Sequence, residues 1–467
     1  NKMSLKKNIY IPIEIKVREF VPKVFFAHKA AKKDYRIYIG SKNRILEIIE
    51  KKEKKGGVFF YKGGLNKNAS SLIKKKCDLF AIMDEEIVPN MQKYMYRMSD
   101  QSFFSYIIKN RLEQNNVDKY YTSNKEINNA AKKVLSNKTF SLSTGNLKID
   151  LWKDKNLDLY AAKKKIIKKK FKNFIIFNSD IRYLHNKNDF EDNFDLDVYK
   201  SLKKDSRFIK KEMSSLKRFS KFKNKNFLFL IKLLNNIDKN LKKIKLIIRP
   251  HPTEDINIWR IVTKNLKNIE ISPPTDDVIP YILASKGVIH NGCTTSNASI
   301  CLNKPTGYLI DNSNKYNKDY IVKNKLKYCF KISNSQDFIY WLNNLNKYKP
   351  LNDKNKRNFF KKMNIQKESV SDLVIKDLSN SQIFKEKKIY IPKENMNYFS
   401  EFLFKMKSII KKTLYMKKKR FYISKIPSAI THLEANKYIK ILDKNDKRKE
   451  KTLIRQVKNN LIEIECS

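Results

Sequence analysis

Two short stretches bring together residue types suited to phosphate chemistry. In "IKLIIRPHP", Ile244 to Ile248 read as a buried strand, and Pro250 and Pro252 forbid its continuation. His251 is thereby delivered at a strand's carboxyl end, held between two prolines, with Arg249 beside it. In doubly wound sheets that edge is where ligands bind. The second stretch is "GVIHNGCTTSNASICLNKP", Gly287 to Pro305. A strand ends at His290, Asn291-Gly292 makes the turn, and Thr294, Thr295 and Ser296 open a helix. Hydroxyls and free backbone N–H groups at a helix start form an anion site. The plainer alternatives are a turn histidine satisfied by backbone and an ordinary N-cap, but a cap needs one hydroxyl rather than three in a row.

Other chemistries lack their signatures. There is no GxxxxGK[ST] and no GxGxxG, so neither a P-loop nor a dinucleotide fingerprint is present. Asp276 and Asp277 precede another helix and read as partners of its dipole. His251 and His290 have no partner ligands at metal spacing, and the "DLD" of Asp195–Asp197 lies in a charged spacer rather than after an apolar strand. A metal-independent site without cofactor is expected. Cys293 and Cys301 read as packing residues, and the five cysteines form no CxxC pair. With no apolar leader, this leads to the expectation of a cytoplasmic setting.

The elements that must position these residues come in two series. "NIYIPIEI", "RIYIGS", "GVFFYKGG", "CDLFAIMDEE" and "KTFSLSTGN" read as strands of the first, with helices between them. "FIIFNSD", "IKLIIRP", "NIEIS", "KGVIHNG" and "TGYLID" make the second. The expected fold is α/β: two Rossmann-like domains facing a cleft, plus a basic C-terminal tail. The domains are read as 1–165, 166–380 and a helical extension over 381–467, with Phe399–Tyr422 its clearest helix.

Composition bounds the partners less than its size suggests. Lys and Arg number 101 against 47 acids, a net charge of +54, in a chain with 41% hydrophobic residues. Those are globular values, so a disordered polycation is excluded. Such a surface attracts polyanions or an anionic membrane face. A nucleic-acid reader would concentrate Arg and interleave aromatics; only about 14 of the cations are Arg, so nucleic acid is not the expected partner. No window approaches bilayer-spanning length.

At this point the motifs join into a resemblance. "RPHP" followed by an acidic residue and a Trp, then "HNGCTTS", is similar to the bacterial surface carbohydrate biosynthesis proteins, which are glycosyltransferases of GT-B fold related to capsule Kdo transferases and polysialyltransferases. "IPIEIKVREF", "FFYKGG", "AIMDEE", "STGNLKID" and "KESVSDLVIKDL" match that group in order, over roughly residues 8–380. The resemblance implies transfer of a nonulosonate or Kdo-type sugar from a CMP-activated donor to a glycan or lipid-linked acceptor, on the inner face of the cytoplasmic membrane. It places the phosphate roles on His251-Pro252 and on Thr294, Thr295 and Ser296, with Arg249, His290, Asn291 and Gly292 beside them. The catalytic carboxylate falls within Asp84, Glu85 and Glu86. The group shows Gly after these acids where this chain has Ile87, which leaves the choice among the three open. Glu14, Arg18 and Glu19 are the expected acceptor contacts. A CDP-alcohol phosphotransferase of teichoic-type polymer synthesis also carries an RPHP-like motif, and is the alternative.

Overall fold

The computed structural model describes residues 5–89, 91, 99–112, 115–181, 206–241, 243–251, 254, 256–272, 277–348, 353–389, 406, 429–446 and 450–466, with backbone alone at 206–213, 215, 216, 353 and 354. Pro252, Asp276, the Asp195–Asp197 triplet and nearly all of the expected tail helix 399–422 lie outside these residues.

Six parallel strands form the first unit: β1 (Lys6–Ile13), β2 (Tyr35–Ser41), β3 (Val58–Tyr61), β4 (Leu79–Met83), β5 (Lys119–Thr122) and β6 (Phe140–Ser143). Their order across the sheet is β2-β1-β3-β4-β5-β6. Both faces are covered, so the strands are apolar without alternation. On one face Ile9, Ile11, Ile37, Ile39, Val58 and Phe60 pack beneath the helix Lys16–Ala31. On the other, Tyr10, Tyr38, Phe59 and Phe80 meet the helices that follow β2, β3 and β4. Truncating one fully buried isoleucine such as Ile11 to Ala costs about 2–5 kcal/mol.

The second unit is again wholly parallel. Its strands are β7 (Phe174–Asn178), β8 (Lys245–Arg249), β9 (Ile269–Ile271), β10 (Val288–His290), β11 (Thr306–Leu309) and β12 (Phe330–Ile332). The order is β12-β11-β10-β7-β8-β9, so the chain reverses direction on either side of β7. A crevice at such a reversal opens at the carboxyl ends of the strands. One apolar cluster runs from Ile9 and Phe26 through Tyr160 and Phe171 to Ile176, Ile247 and Val288, joining the units. The two Rossmann-like units expected from the motifs are present.

The chain then returns to the first unit. The helix Val370–Ser379 packs on Lys16–Ala31, and the two-residue β13 (Lys385–Glu386) pairs with the start of β1. The described residues after 381 also depart from the expected helical extension. The helix His432–Asn445 lies against Lys16–Ala31, where His28 Nε2 meets Asp443 Oδ1 at 2.9 Å. After it, β14 (Thr452–Lys458) and β15 (Leu461–Cys466) form a hairpin that adds antiparallel to β2, pairing Ile462 with Ile39. The hairpin buries Leu461, Ile462 and Ile464 completely, which is the physical reason it joins the sheet instead of remaining a solvated tail.

Candidate functional site

At the carboxyl edge of the first sheet, three strand ends converge on a charged network. Glu14 follows β1, Lys62 follows β3, and Asp84, Glu85 and Glu86 follow β4. Glu19, on the first turn of the helix after β1, is fully buried and accepts from the Lys23 and Lys62 ammonium groups, both at 2.8 Å. It also accepts the Ile15 N–H at 2.9 Å, so it closes the turn out of β1. Burial alone would raise its pKa, but Lys23 and Lys62 outweigh burial and hold it below the usual carboxylate range. Glu14 is bonded by the Tyr61 hydroxyl and by Lys62 at 3.0 Å. Of the expected acceptor contacts, Glu14 faces solvent, Arg18 is half-buried and Glu19 is consumed by internal pairing.

The three acids after β4 have three different environments. Asp84 caps its own turn, accepting the N–H groups of Glu86 at 2.9 Å and Ile87 at 3.1 Å, while its second oxygen meets Arg111 Nε at 3.3 Å. Glu85 is buried between Lys148 at 3.2 Å and Lys23 at 3.6 Å. Glu86 is the one that reaches solvent, with 41% of its side chain exposed, and Arg111 donates to it at 3.0 Å. Burial pushes its pKa up, but Arg111, Lys62 and Arg18 together bring it down to about 2. Glu86 is therefore a fixed negative charge at neutral pH rather than a proton carrier. The "KGG" turn has a mechanical purpose here: a Cβ on Gly64 would sit 2.1 Å from the Arg111 carbonyl oxygen. Glycine lets the end of helix Asp100–Leu112 approach and deliver Arg111.

Across the second sheet, in-register partners build a polar row. Arg249, Asn178, His290 and Tyr308 are neighbours on β8, β7, β10 and β11. Side chains alternate along each strand, so these four share a face, with Ile247, Ile176 and Val288 forming the apolar layer beneath. Arg249 lies over the Tyr281 ring at 5.9 Å. Asn178 is buried, and its amide has no hydrogen-bond partner among the described residues. His290 is fully buried and stacks on Tyr308 at 4.5 Å. Its Nδ1 accepts the Gly292 N–H at 3.1 Å, which leaves the proton on Nε2, 3.6 Å from Cys329 Sγ. Burial, then the charge of Lys325, pushes its pKa well down. The expected phosphate contact from His290 is not met, because both its nitrogens are engaged; it is a neutral core histidine that shapes the turn.

That turn is the loop expected to bind phosphate. Gly292 adopts φ 113°, a left-handed conformation open to glycine. Asn291 is spent on structure: its Oδ1 accepts the Asp180 N–H at 2.7 Å, tying the loop to the end of β7. Ser296 is buried and donates to the Cys293 carbonyl at 2.7 Å, while Thr295 donates to Cys293 Sγ at 3.1 Å. Thr294 is exposed. The N–H groups of Cys293, Thr294 and Thr295 make no hydrogen bond among the described residues, so three consecutive donors line the loop. Beneath it Lys325, fully buried, donates to the carbonyls of Cys293 at 2.9 Å and Gly292 at 3.4 Å. Burial lowers its pKa to about 8.

On the neighbouring strand end, His251 is half-buried and its carbonyl accepts the Glu254 N–H at 2.8 Å. The Glu254 carboxylate accepts from Ser179 Oγ at 3.1 Å, the Ile181 N–H at 2.6 Å and Trp259 Nε1 at 2.9 Å. The acid and tryptophan that follow RPHP are thus one hydrogen-bonded unit, stapling the β8 loop to the β7 loop. Asp277 accepts the Ile279 N–H at 3.0 Å just before the helix Ile279–Ala284, and burial raises its pKa above the usual carboxylate range. Among the described residues no group of three His, Cys, Asp or Glu is placed to hold a metal ion.

The two edges touch. Asn297, one residue into the helix after the loop, donates to the Pro89 carbonyl at 2.9 Å, and Pro89 lies on the segment that begins with Asp84–Glu86. The cations of this site carried no sequence signal, since Lys23, Lys62, Lys148 and Lys325 are indistinguishable from the chain's other lysines until they are placed. Asn178 and Asn297 were hidden in the same way by an Asn-rich composition.

No family model matches the chain, and no curated protein sequence matches it. Among solved structures it is similar to the wall teichoic acid polymerase TagF soaked with CDPG, at 12% identity over 80% of this chain and 90% of that one, TM-score 0.48. It is similar to Methanocaldococcus jannaschii UDP-GlcNAc 2-epimerase in complex with UDP-GlcNAc and UDP, at 12% identity over 81% and 100%, TM-score 0.46. It is also similar to S. aureus MnaA in complex with UDP, at 12% identity over 80% and 96%, TM-score 0.41.

Proposed function

We propose that the chain is a glycosyltransferase of surface polysaccharide synthesis, moving a nonulosonate or Kdo-type sugar from a CMP-activated donor to a glycan or lipid-linked acceptor. The observation that carries the reading is the bond from Asn297 to Pro89, which sets the loop of three free N–H donors against the segment bearing Glu86. In this reading the departing CMP phosphate sits on the N–H groups of Cys293–Thr295 and the Thr294 hydroxyl, with His251 and Arg249 at the adjacent strand end. Breaking a glycosyl–phosphate bond needs the leaving charge stabilised, and preorganised N–H donors do that without reorganising. Glu86, ionised and half-open to the cleft, stabilises positive character at the anomeric carbon. Asp84 and Glu85 hold the geometry around it. The donor sugar and its nucleotide come from the motif resemblance.

Calorimetric titration with CMP, followed by donor turnover with CMP-sugars and with CDP-glycerol, tests this. CMP binding that is lost in His251→Ala and weakened in Thr294→Val supports the site, and turnover of a CMP-sugar supports the reaction. Turnover of CDP-glycerol alone would replace this reading with a CDP-alcohol phosphotransferase.

A further inference from the structure

The helix Ala161–Phe171, "AAKKKIIKKKF", stands between the two units and buries only Ile167 and Phe171. Its exposed surface carries Lys163, Lys164, Lys165, Lys168, Lys169 and Lys170. None of the six makes an ion pair among the described residues, and the helix contains no acid. Neighbouring elements extend the field. Lys286 is exposed beside it, and Lys304 donates to the Leu283 and Ser285 carbonyls at 3.1 and 3.0 Å. Lys304 is pushed down to about 8, first by burial and then by Lys164, Lys168 and Lys286, which is what crowded like charges do. Within this cationic face Ile166 is 66% exposed, with Lys163, Lys169 and Lys170 at helical i−3, i+3 and i+4 around it.

By contrast Lys23, Lys62, Lys119 and Lys148 all meet carboxylates. The helix differs in density: six ammonium groups without an ion pair among the described residues crowd one short helix and repel one another, relieved by the Asp277 charge near Lys163 and by the Phe171 ring, 4.9 Å from the Lys170 ammonium. Such a face is stabilised by an external sheet of negative charge. An apolar side chain at its centre, flanked by long lysines that can reach sideways, fits a surface that is anionic outside and hydrocarbon below. We propose that Ala161–Phe171 is a docking surface for an anionic lipid bilayer. On its inner side Phe171 packs on Tyr281 at 6.3 Å, and Arg249 lies over that same ring. This inference goes beyond the proposed reaction and does not depend on which donor is used.

Vesicle co-sedimentation of the full chain, with phosphatidylcholine alone and with about one third phosphatidylglycerol, tests it. Lys164, Lys165, Lys168 and Lys169→Gln together should weaken binding to the anionic vesicles by about tenfold or more, since each basic residue near an anionic surface adds a comparable increment. Lys54, Lys55, Lys74 and Lys75→Gln remove the same charge from other exposed positions and should leave binding within about twofold. Ile166→Ser alone should lower anionic vesicle binding while leaving binding to a soluble acidic polysaccharide or duplex DNA unchanged. Equal losses in the two lysine quartets would overturn the proposal, as would vesicle binding indifferent to Ile166 or a quartet effect confined to the soluble polyanions. If the quartet fails to fold by circular dichroism, the Lys165→Gln, Lys169→Gln pair on the outermost side of the helix makes the same comparison.

Discussion

Asp150 Oδ2 accepts both the backbone N–H and the hydroxyl of Ser371 at 2.8 Å, across more than two hundred residues of chain. The same carboxylate takes the Ser369 hydroxyl and the Val370 N–H, both at 2.9 Å, and is fully buried. It caps the helix Val370–Ser379 from outside, where that helix leaves the second unit and crosses back onto the first. The "STGNLKID" and "KESVSDL" motifs are therefore two halves of one joint. Asp150→Ala leaves several buried donors without an acceptor, so it should cost on the order of 3 kcal/mol of stability. Thermal unfolding should show a midpoint several degrees lower, with Asp150→Asn intermediate because one oxygen survives. A midpoint unchanged in Asp150→Ala would mean that water replaces the carboxylate and the joint carries no strain.

The Glu254–Trp259 pair gives a prediction with a pH signature. Glu254 accepts three hydrogen bonds, yet burial is the larger influence and its pKa rises from 4.5 to about 7. A carboxyl whose folded pKa is raised favours the folded state while protonated. Its contribution is fully present below about 4.5 and is lost as pH climbs through about 7. The wild-type protein should therefore lose stability between pH 5 and pH 8 relative to Glu254→Gln, by on the order of 1–3 kcal/mol. At pH 5 the Gln variant should itself be the weaker, because its amide NH2 faces the Trp259 N–H, and Trp259→Phe should restore part of that loss. Urea unfolding at the two pH values measures both effects.

Much of this arrangement was legible in sequence because strand ends punctuate themselves. Pro250 after "LIIR" and Gly292 after "VIHN" mark where β8 and β10 stop, and the carboxyl edge follows. The misread pieces have physical reasons. His290 looks like a ligand by type, but the row it occupies lies directly above Val288, and only the sheet shows that its nitrogens are already used. The strands Lys119–Thr122 and Phe330–Ile332 are too short to show a period. The C-terminal hairpin escaped because "TLIRQVK" is an edge strand whose charged residues mimic a solvated tail. Asp150 was invisible as a cap, since a cap at that distance in sequence has no local pattern.

Within the acid triplet the environments separate three roles. Glu86→Gln should lower kcat of the transfer by about a hundredfold or more, as loss of a preorganised charge does, with an unchanged unfolding midpoint. Because Glu86 is held at about 2, the wild-type pH–rate profile between 5 and 9 should carry no limb from it. Glu85→Gln should behave oppositely, leaving Lys148 short of its buried partner while Lys23 keeps Glu19, and costing about 3 kcal/mol of stability. Steady-state kinetics beside thermal unfolding separates the two; a Glu85 variant that is stable but inactive would transfer the catalytic role to Glu85.

Lys325 supports the phosphate loop from below, and its removal should be felt in donor binding before chemistry. Lys325→Met fits the same volume but leaves the Gly292 and Cys293 carbonyls without their donor, at a cost of about 1–3 kcal/mol. The loop that presents the Cys293–Thr295 N–H groups loses its floor, so the donor KM should rise by about tenfold while kcat at saturation changes little. The pH dependence has a definite sign. Burial lowers the Lys325 pKa from 10.5 to about 8, so its charge burdens the folded state below 8 and that burden lifts as pH rises from 8 toward 10.5. The stability of the wild-type protein relative to Lys325→Met should therefore increase across that window. A difference that stays flat from pH 8 to 10.5 would place the ammonium in contact with solvent, and with it the loop it supports.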